Sequence, residues 1–384
     1  MRLTRNELPY AVLWLLASSL AVGVALLFTS ASLVDGEYIP VGNDAFYIAR
    51  RILDAVSGDP GFYQFDPAIH VPEGSWLTVP WGYTYLASRL IVALNALGVT
   101  DQPGTALAFI PVAFATVNVG LFALVLRSAG VRPMLTGIAL LAFALSPLNQ
   151  VLHGVGAVDH HFLELCFVLL TVWLGLRWAK RPDAKARACT LGLALGAAPA
   201  FHTGLFILQL PLLLALGIHW LKGADFDRAG VATLAVSLVV ASLIFLLPAA
   251  TFWNWRFEFA THSWFHLYVA VSTGVVILSL SRLSADGKGL AIVSTISALL
   301  ALPILAEAGK GAGFLVGTTT LLDRVTEVYS PYRMFRDGGE ALAVTRYYSW
   351  LIVLAPLLLL YCGWRLFVAK RLNERYLMRH LWMG

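Results

Sequence analysis

Acid and imidazole side chains gather in a few short stretches of an otherwise apolar chain. The first stretch is Gly42-Asn43-Asp44-Ala45-Phe46-Tyr47, with Arg50 and Arg51 close behind. Its ordinary structural use is a cap: Asp44 can start a helix that begins just after it. Its chemical use is a carboxylate ligand or base. The second is Asp159-His160-His161-Phe162-Leu163-Glu164, immediately before an apolar run. An Asp-x-His pair offers a carboxylate oxygen and an imidazole nitrogen, donors that suit Mn²⁺, Mg²⁺ or Zn²⁺. A capping aspartate at a hydrated loop end needs only one of these groups, and ionisable residues at a membrane boundary are costly unless used. Glu164 lies one turn into the run and has the alternative of bonding within a helix bundle. The third stretch, Asp323-Arg324-Val325-Thr326-Glu327, supplies Glu327 as a further carboxylate or as a solvated loop acid. Weaker candidates are His70, which could approach a phosphate, and Arg346, whose planar fork binds phosphate or snorkels to the interface. His202, following Pro199, reads as structural.

These groups need a scaffold, and composition names it. Of 384 residues, 59% are hydrophobic and only 13% are charged, too few charges to cover a soluble surface. Ten apolar runs suit bilayer-crossing helices: about 9–31, 104–126, 133–150, 162–178, 188–205, 206–221, 229–252, 264–281, 289–308 and 346–368. The expected fold is all-α, a polytopic membrane protein of about 10 transmembrane helices in a single transmembrane domain, 1–384. The first run is too long for a signal-peptide core, so no cleavage is expected. Ala45, Ile48, Ala49, Ile52, Leu53 and Val56 form one apolar stripe at helical spacing, which predicts a helix lying on the membrane surface. The three cysteines give no disulfide or metal framework. No phosphate-binding loop, zinc-protease helix or dinucleotide fingerprint occurs. The net charge of +5 is modest; it suits cytoplasmic loops and not a nucleic-acid surface.

A run at 83–99, interrupted by Arg89 and Asn95, decides the topology. If it does not span and the N-terminus is cytoplasmic, 18 of the 27 basic residues lie inside. If it spans, only eight do. The positive-inside rule selects the first arrangement, and 83–99 becomes a re-entrant or surface helix. A long first outer loop (32–103), the loop at 151–161 and the last outer loop (309–345) then share one face. Both termini are cytoplasmic, the second as a short basic tail (369–384) carrying Lys370, Arg371, Arg375 and Arg379.

In this order and on this face, the motifs resemble those of the oligosaccharyltransferase catalytic subunit family. Asn43-Asp44-Ala45-Phe46-Tyr47 followed by Arg50 is similar to its first acidic motif. The run from Asp66 to Gly74, then Pro80-Trp81-Gly82, is similar to the rest of its first outer loop. Asp159-His160-His161 resembles the archaeal form of its second motif. Arg324-Val325-Thr326-Glu327 resembles its last-loop motif, which normally opens with Thr or Ser where this chain has Arg324. The resemblance covers about residues 1–350. It implies a GT-C-like fold and a polyprenyl-(pyro)phosphate sugar donor. It also implies a divalent metal, Mn²⁺ or Mg²⁺, held by Asp44, Asp159 and His161. Glu327 would be a fourth ligand or acceptor-activating group, and Asp44 would also face the acceptor. Arg346 and His70 would bind donor phosphate, with His160 and Glu164 as further candidates. The active site would face the periplasmic side of the cell membrane. In that family a soluble C-terminal domain carries a Trp-Trp-Asp motif that reads the acceptor; no Trp-Trp-Asp occurs in this sequence. The expected acceptor is therefore open: a lipid, a glycan, another protein or a peptide presented by a partner. Two other functions use the same groups. A transporter or flippase of a lipid-linked sugar would want ionisable residues at mid-membrane depth, where few occur. A non-catalytic subunit of a glycosylation complex would need a partner.

Overall fold

The computed structural model describes residues 8–311, apart from 28, 59–64, 67, 69–70, 77–78 and 224, together with Leu357. His70, Glu327, Arg346, the last outer loop beyond residue 311, the 346–368 run and the basic tail lie outside the described residues. The chain is built almost wholly of helices. In order these are α1 (Leu8–Leu27), α2 (Asn43–Ser57), α3 (Trp81–Ala96), α4 (Pro103–Ala129), α5 (Pro133–Leu145), α6 (Pro147–His153) and α7 (His161–Lys180). Then come α8 (Lys185–Ala197), α9 (Gln209–Leu221), α10 (Arg228–Leu246), α11 (Ala250–Trp253), α12 (Trp264–Leu280) and α13 (Gly287–Gly311). Two two-residue hairpin pairs, in the 33–38 and 65–76 stretches, are the strands among the described residues.

Six described helices are long and apolar enough to cross a bilayer: Leu8–Leu27, Pro103–Ala129, His161–Lys180, Thr203–Leu221, Arg228–Leu246 and Gly287–Glu307. The pair α5–α6 bends by 58° and makes a seventh if counted as one span. The protein is thus an all-α polytopic membrane protein, but the described helices do not reach the expected count of about ten. The differences have local causes. In the 133–150 run, Pro147 starts a new helix and breaks the ladder. In the 188–205 run, α8 ends at Ala197 and gives way to 3₁₀ turns around Pro199. In the 264–281 run, α12 is a 17-residue helix. α3 has 16 residues and is not among the candidate spans.

The expected apolar stripe of α2 exists, but it does not lie on lipid. Ala45, Ile48, Ala49 and Ile52 are buried against Tyr83, Ala87 and Ile91 of α3, Ile110 of α4 and Phe162 of α7. Burial against three other helices removes more apolar surface from water than half-immersion at an interface does. Arg50 pairs with Asp66, and the buried Arg51 donates to the Val79 carbonyl at 3.2 Å. These bonds tie the far side of α2 to the rest of the loop.

The densest part of the bundle is α8 against α10. Gly192 and Gly196 lie four apart on α8, the small-xxx-small spacing that lets helix backbones touch in a membrane. A Cβ on Gly196 would sit 2.5 Å from the Leu238 carbonyl oxygen. One on Gly192 would sit 2.7 Å from that of Leu234.

Hydrogen bonds sort the loops onto two ends. At one end Tyr10 donates to the Val131 carbonyl (2.9 Å) and Trp220 to that of Leu283 (2.7 Å). At the other, Trp81 at the start of α3 donates to the Phe245 carbonyl at the close of α10 (2.9 Å). The acidic stretches at 44 and 159 lie at this second end.

Candidate functional site

The two acidic stretches grow from one backbone seam. Val41 N–H donates to the Gly156 carbonyl (2.9 Å), and Gly156 N–H donates to that of Ala108 (2.9 Å). Gly156 has φ 80°, and a Cβ there would meet Ser32 Cβ at 2.7 Å and the Ile39 oxygen at 2.9 Å. Only glycine suits both the left-handed backbone and the close approach. The buried Tyr83 hydroxyl donates to the Val158 carbonyl (2.9 Å), so α3 props the second stretch directly. Within three residues of the seam the chain reaches Asp44 on one side and Asp159 on the other.

Asp44 does not cap its helix. α2 begins at Asn43 behind Gly42, whose φ is 104°, and makes no side-chain cap hydrogen bond. Asp44 sits in the first turn with its side chain exposed. A carboxylate there is favoured by the helix dipole, and it remains available to a ligand.

Around Asp159 the side chains converge. Asp159 Oδ1 lies 2.5 Å from His160 Nδ1, and Oδ2 lies 3.4 Å from His161 Nε2. The opposite nitrogens of the same two rings face Glu164. Its Oε1 lies 3.1 Å from His160 Nε2 and 3.4 Å from His161 Nδ1. A third imidazole joins from the turn after α8: His202 Nδ1 is 3.1 Å from the same oxygen. The His202 ring stacks on His160 at 4.6 Å between centroids and 18° between planes. The turn is held in place by close approach, since a Cβ on Gly82 would be 2.5 Å from the Ala200 oxygen.

Two ligand groups result. The donor atoms of Asp159, His160 and His161 lie within 4.8 Å of one another, as do those of His160, Glu164 and His202. Asp44 belongs to neither group. His202 was read from sequence as structural; the structure brings it to the cluster. No local pattern marks it, because its partner Glu164 belongs to a different helix.

The donor set fits a divalent cation. His160 Nδ1 and Glu164 Oε1 are buried and make no hydrogen bond of good geometry, although charged neighbours surround both. Mixed imidazole and carboxylate donors of this kind suit borderline metals. The electrostatics agree. Burial pushes the His160 imidazolium down, but Asp159 and Glu164 outweigh it and raise its pKa to about 10. Burial likewise pushes the Asp159 carboxyl up, and the His160 and His161 rings more than reverse it. The space between the two carboxylates calls for positive charge. Burial holds His202, by contrast, down at about 4, a neutral ring with a free lone pair to offer.

No family model matches the sequence, and no curated protein matches it. Solved structures do. Archaeal oligosaccharyltransferase AglB from Archaeoglobus fulgidus, in complex with an inhibitory peptide and a dolichol-phosphate, matches with TM-score 0.74 at 19% identity over 97% of this chain. The Archaeoglobus fulgidus oligosaccharyltransferase tethered to an acceptor peptide containing the NVT sequon matches with TM-score 0.71 at 17% identity over 98%. Its complex with Zn and sulfate matches with TM-score 0.65 at 20% identity over 96%. The chain spans about half the length of these proteins, 46%, 49% and 52% respectively. At one end of a helical membrane bundle it joins two acidic stretches through a backbone seam, and its fold is oligosaccharyltransferase-like.

Proposed function

We propose that this protein is a metal-dependent glycosyltransferase that moves a sugar or oligosaccharide from a polyprenyl-(pyro)phosphate donor to an acceptor on the outer face of the membrane. The observation that carries the reading is the Asp159–His160–His161 cluster, set at the same bundle end as the exposed Asp44 in an oligosaccharyltransferase-like fold. The solved relatives support the chemistry: one holds a dolichol-phosphate, another Zn and sulfate, another an acceptor peptide. Asp44, Asp159 and His161, completed by Glu327, would hold Mn²⁺ or Mg²⁺. Bound there, a divalent cation would neutralise charge on the departing (pyro)phosphate. Asp44 faces the acceptor and orients its nucleophile, with Glu327 as a second carboxylate for that role. Arg346 and His70 hold the donor phosphate. The outer-face placement rests on the distribution of arginine and lysine along the sequence.

The test is release of polyprenyl phosphate or pyrophosphate by purified protein given a lipid-linked sugar and a mixture of acceptors. Release should stop on chelation and return with added Mn²⁺. Movement of the intact lipid-linked sugar across a vesicle, without release, would replace this reading with a translocator.

Glu164 has a supporting part in this proposal. A metal-ligating histidine commonly donates its other N–H to a carboxylate, which fixes the ring. His161 is placed so, with Nε2 toward Asp159 and Nδ1 toward Glu164. Glu164→Gln is expected to weaken Mn²⁺ binding by about 10- to 100-fold, measured by electron paramagnetic resonance titration. Unchanged affinity would remove Glu164 from the site.

A further inference from the structure

At the same end of the bundle as the His202 arm of the cluster stands a group of aromatic rings that the reading above leaves unused. Phe252, Trp264 and Trp255 lie with near-parallel planes, centroids 4.7 Å apart and planes 17° apart for the first pair, 4.8 Å and 9° for the second, and 6.5 Å and 23° between Phe252 and Trp255. Trp255 is 75% exposed. Its backbone has φ 53°, and Trp255 and Asp35 are the non-glycine residues with positive φ among the described residues. A bulky side chain rarely occupies that region unless the surrounding structure forces it, and such outliers gather at ligand sites. Here the surroundings do force it. Trp255 N–H donates to the Phe252 carbonyl (3.3 Å), Arg256 N–H to that of Thr251 (3.0 Å), and Trp264 N–H to that of Arg256 (3.1 Å). The fold thus holds one flat indole face outward.

The next side chain adds polar groups. Arg256 Nη1 donates to Glu258 Oε1 at 2.8 Å, and both side chains are partly exposed. The group also belongs to the cluster's end of the bundle. Phe206, four residues after His202, packs edge-on against Phe265 and His266, which directly follow Trp264. Trp253 donates to the Leu247 carbonyl (3.0 Å), two residues beyond the Phe245 that Trp81 grips.

From this juxtaposition we propose that Trp255, with Arg256 and Glu258, forms a pyranose-binding subsite for the glycan being transferred. A pyranose has an apolar C–H face and a rim of hydroxyls. The indole face matches the first, and a guanidinium–carboxylate pair offers donors and acceptors to the second. An acyl chain would gain nothing from an ion pair. The assignment of the glycan as cargo rests on the transferase reading; the binding itself does not.

The test is saturation-transfer NMR of the full-length protein in nanodiscs with soluble oligosaccharides of glucose, mannose and N-acetylglucosamine. The wild type should bind at least one of them through its ring C–H protons. Trp255→Ala should weaken that binding about 5-fold or more. Trp14→Phe, far along α1, should leave it unchanged and so controls for general loss of tryptophan. Binding should also survive in Asp159→Asn. A chain that binds sugar but never transfers it would therefore overturn the transferase reading alone. No sugar binding by the wild type, or equal binding by Trp255→Ala, overturns the subsite. So does quenching of Trp255 fluorescence by brominated acyl chains, which would make it an interfacial anchor.

Discussion

Asp159→Asn is expected to reduce sugar transfer by about 10²–10³-fold while leaving membrane insertion and melting behaviour intact. The asparagine keeps the shape of the site. Its amide oxygen can still accept the His160 backbone N–H, now bonded to Asp159 Oδ1 at 2.6 Å. What it loses is the negative charge that faces both His160 and His161. A ligand role predicts loss of metal affinity and activity together; a merely structural role predicts neither. The measurement is transfer rate and Mn²⁺ affinity on detergent-purified protein, with yield after membrane extraction as the folding control. Near-wild-type transfer would sink the assignment of the whole cluster. Asp44→Ala asks a separate question, because Asp44 stands apart from both ligand groups. Full activity there would leave the cluster standing and remove Asp44 both as a metal ligand and as the acceptor-facing carboxylate.

The largest effect on stability is expected from Gly196→Val. Its Cβ would fall 2.5 Å from the Leu238 oxygen, 2.7 Å from Ala241 Cβ and 2.9 Å from Ser242 N. Two of these three atoms belong to helix backbone, so no side chain can swing aside and α10 itself must move. Overpacking of this kind costs about 3 kcal/mol. The apparent melting temperature in detergent should drop by several degrees and the monodisperse fraction should shrink. Gly217→Ala on α9 is the matched control, since nothing lies within 4 Å of a Cβ there. It should be neutral or stabilising, by about 0.5–1 kcal/mol. Equal melting of the two variants would show that α8 and α10 do not pack this closely in solution.

Much of this architecture is legible in the residues. Residues 83–99 fall largely in α3, a 16-residue helix bound to α2 and to the Val158 carbonyl. The periodic stripe on α2 marked the right buried face. It could not say what buries it, because apolar spacing is the same for a lipid neighbour and a helix neighbour. Among the described residues, apolar length and helical length part company at two prolines. The runs around Pro147 and Pro199 are continuous in hydropathy but broken in hydrogen bonding. His202 was illegible for a different reason. Its meaning lies in a contact with Glu164 across 38 positions of sequence, set by how two turns meet. Of the two uses open to Asp44, the cap falls away because Gly42 holds φ 104° and the helix starts at Asn43 without a side-chain cap bond, a geometry the sequence does not show.

The contacts that close this bundle end also set a timetable for its birth. Tyr83 waits for a partner 75 positions downstream, and Trp81 for one 164 positions downstream. A ribosome working at about 5–20 residues per second makes the second interval roughly 10–30 s. Through that interval Trp81 lacks its acceptor at the close of α10. A nascent chain arrested between Val158 and Phe245 should therefore leave Trp81, but not Tyr83, more open to chemical labelling than in the finished protein.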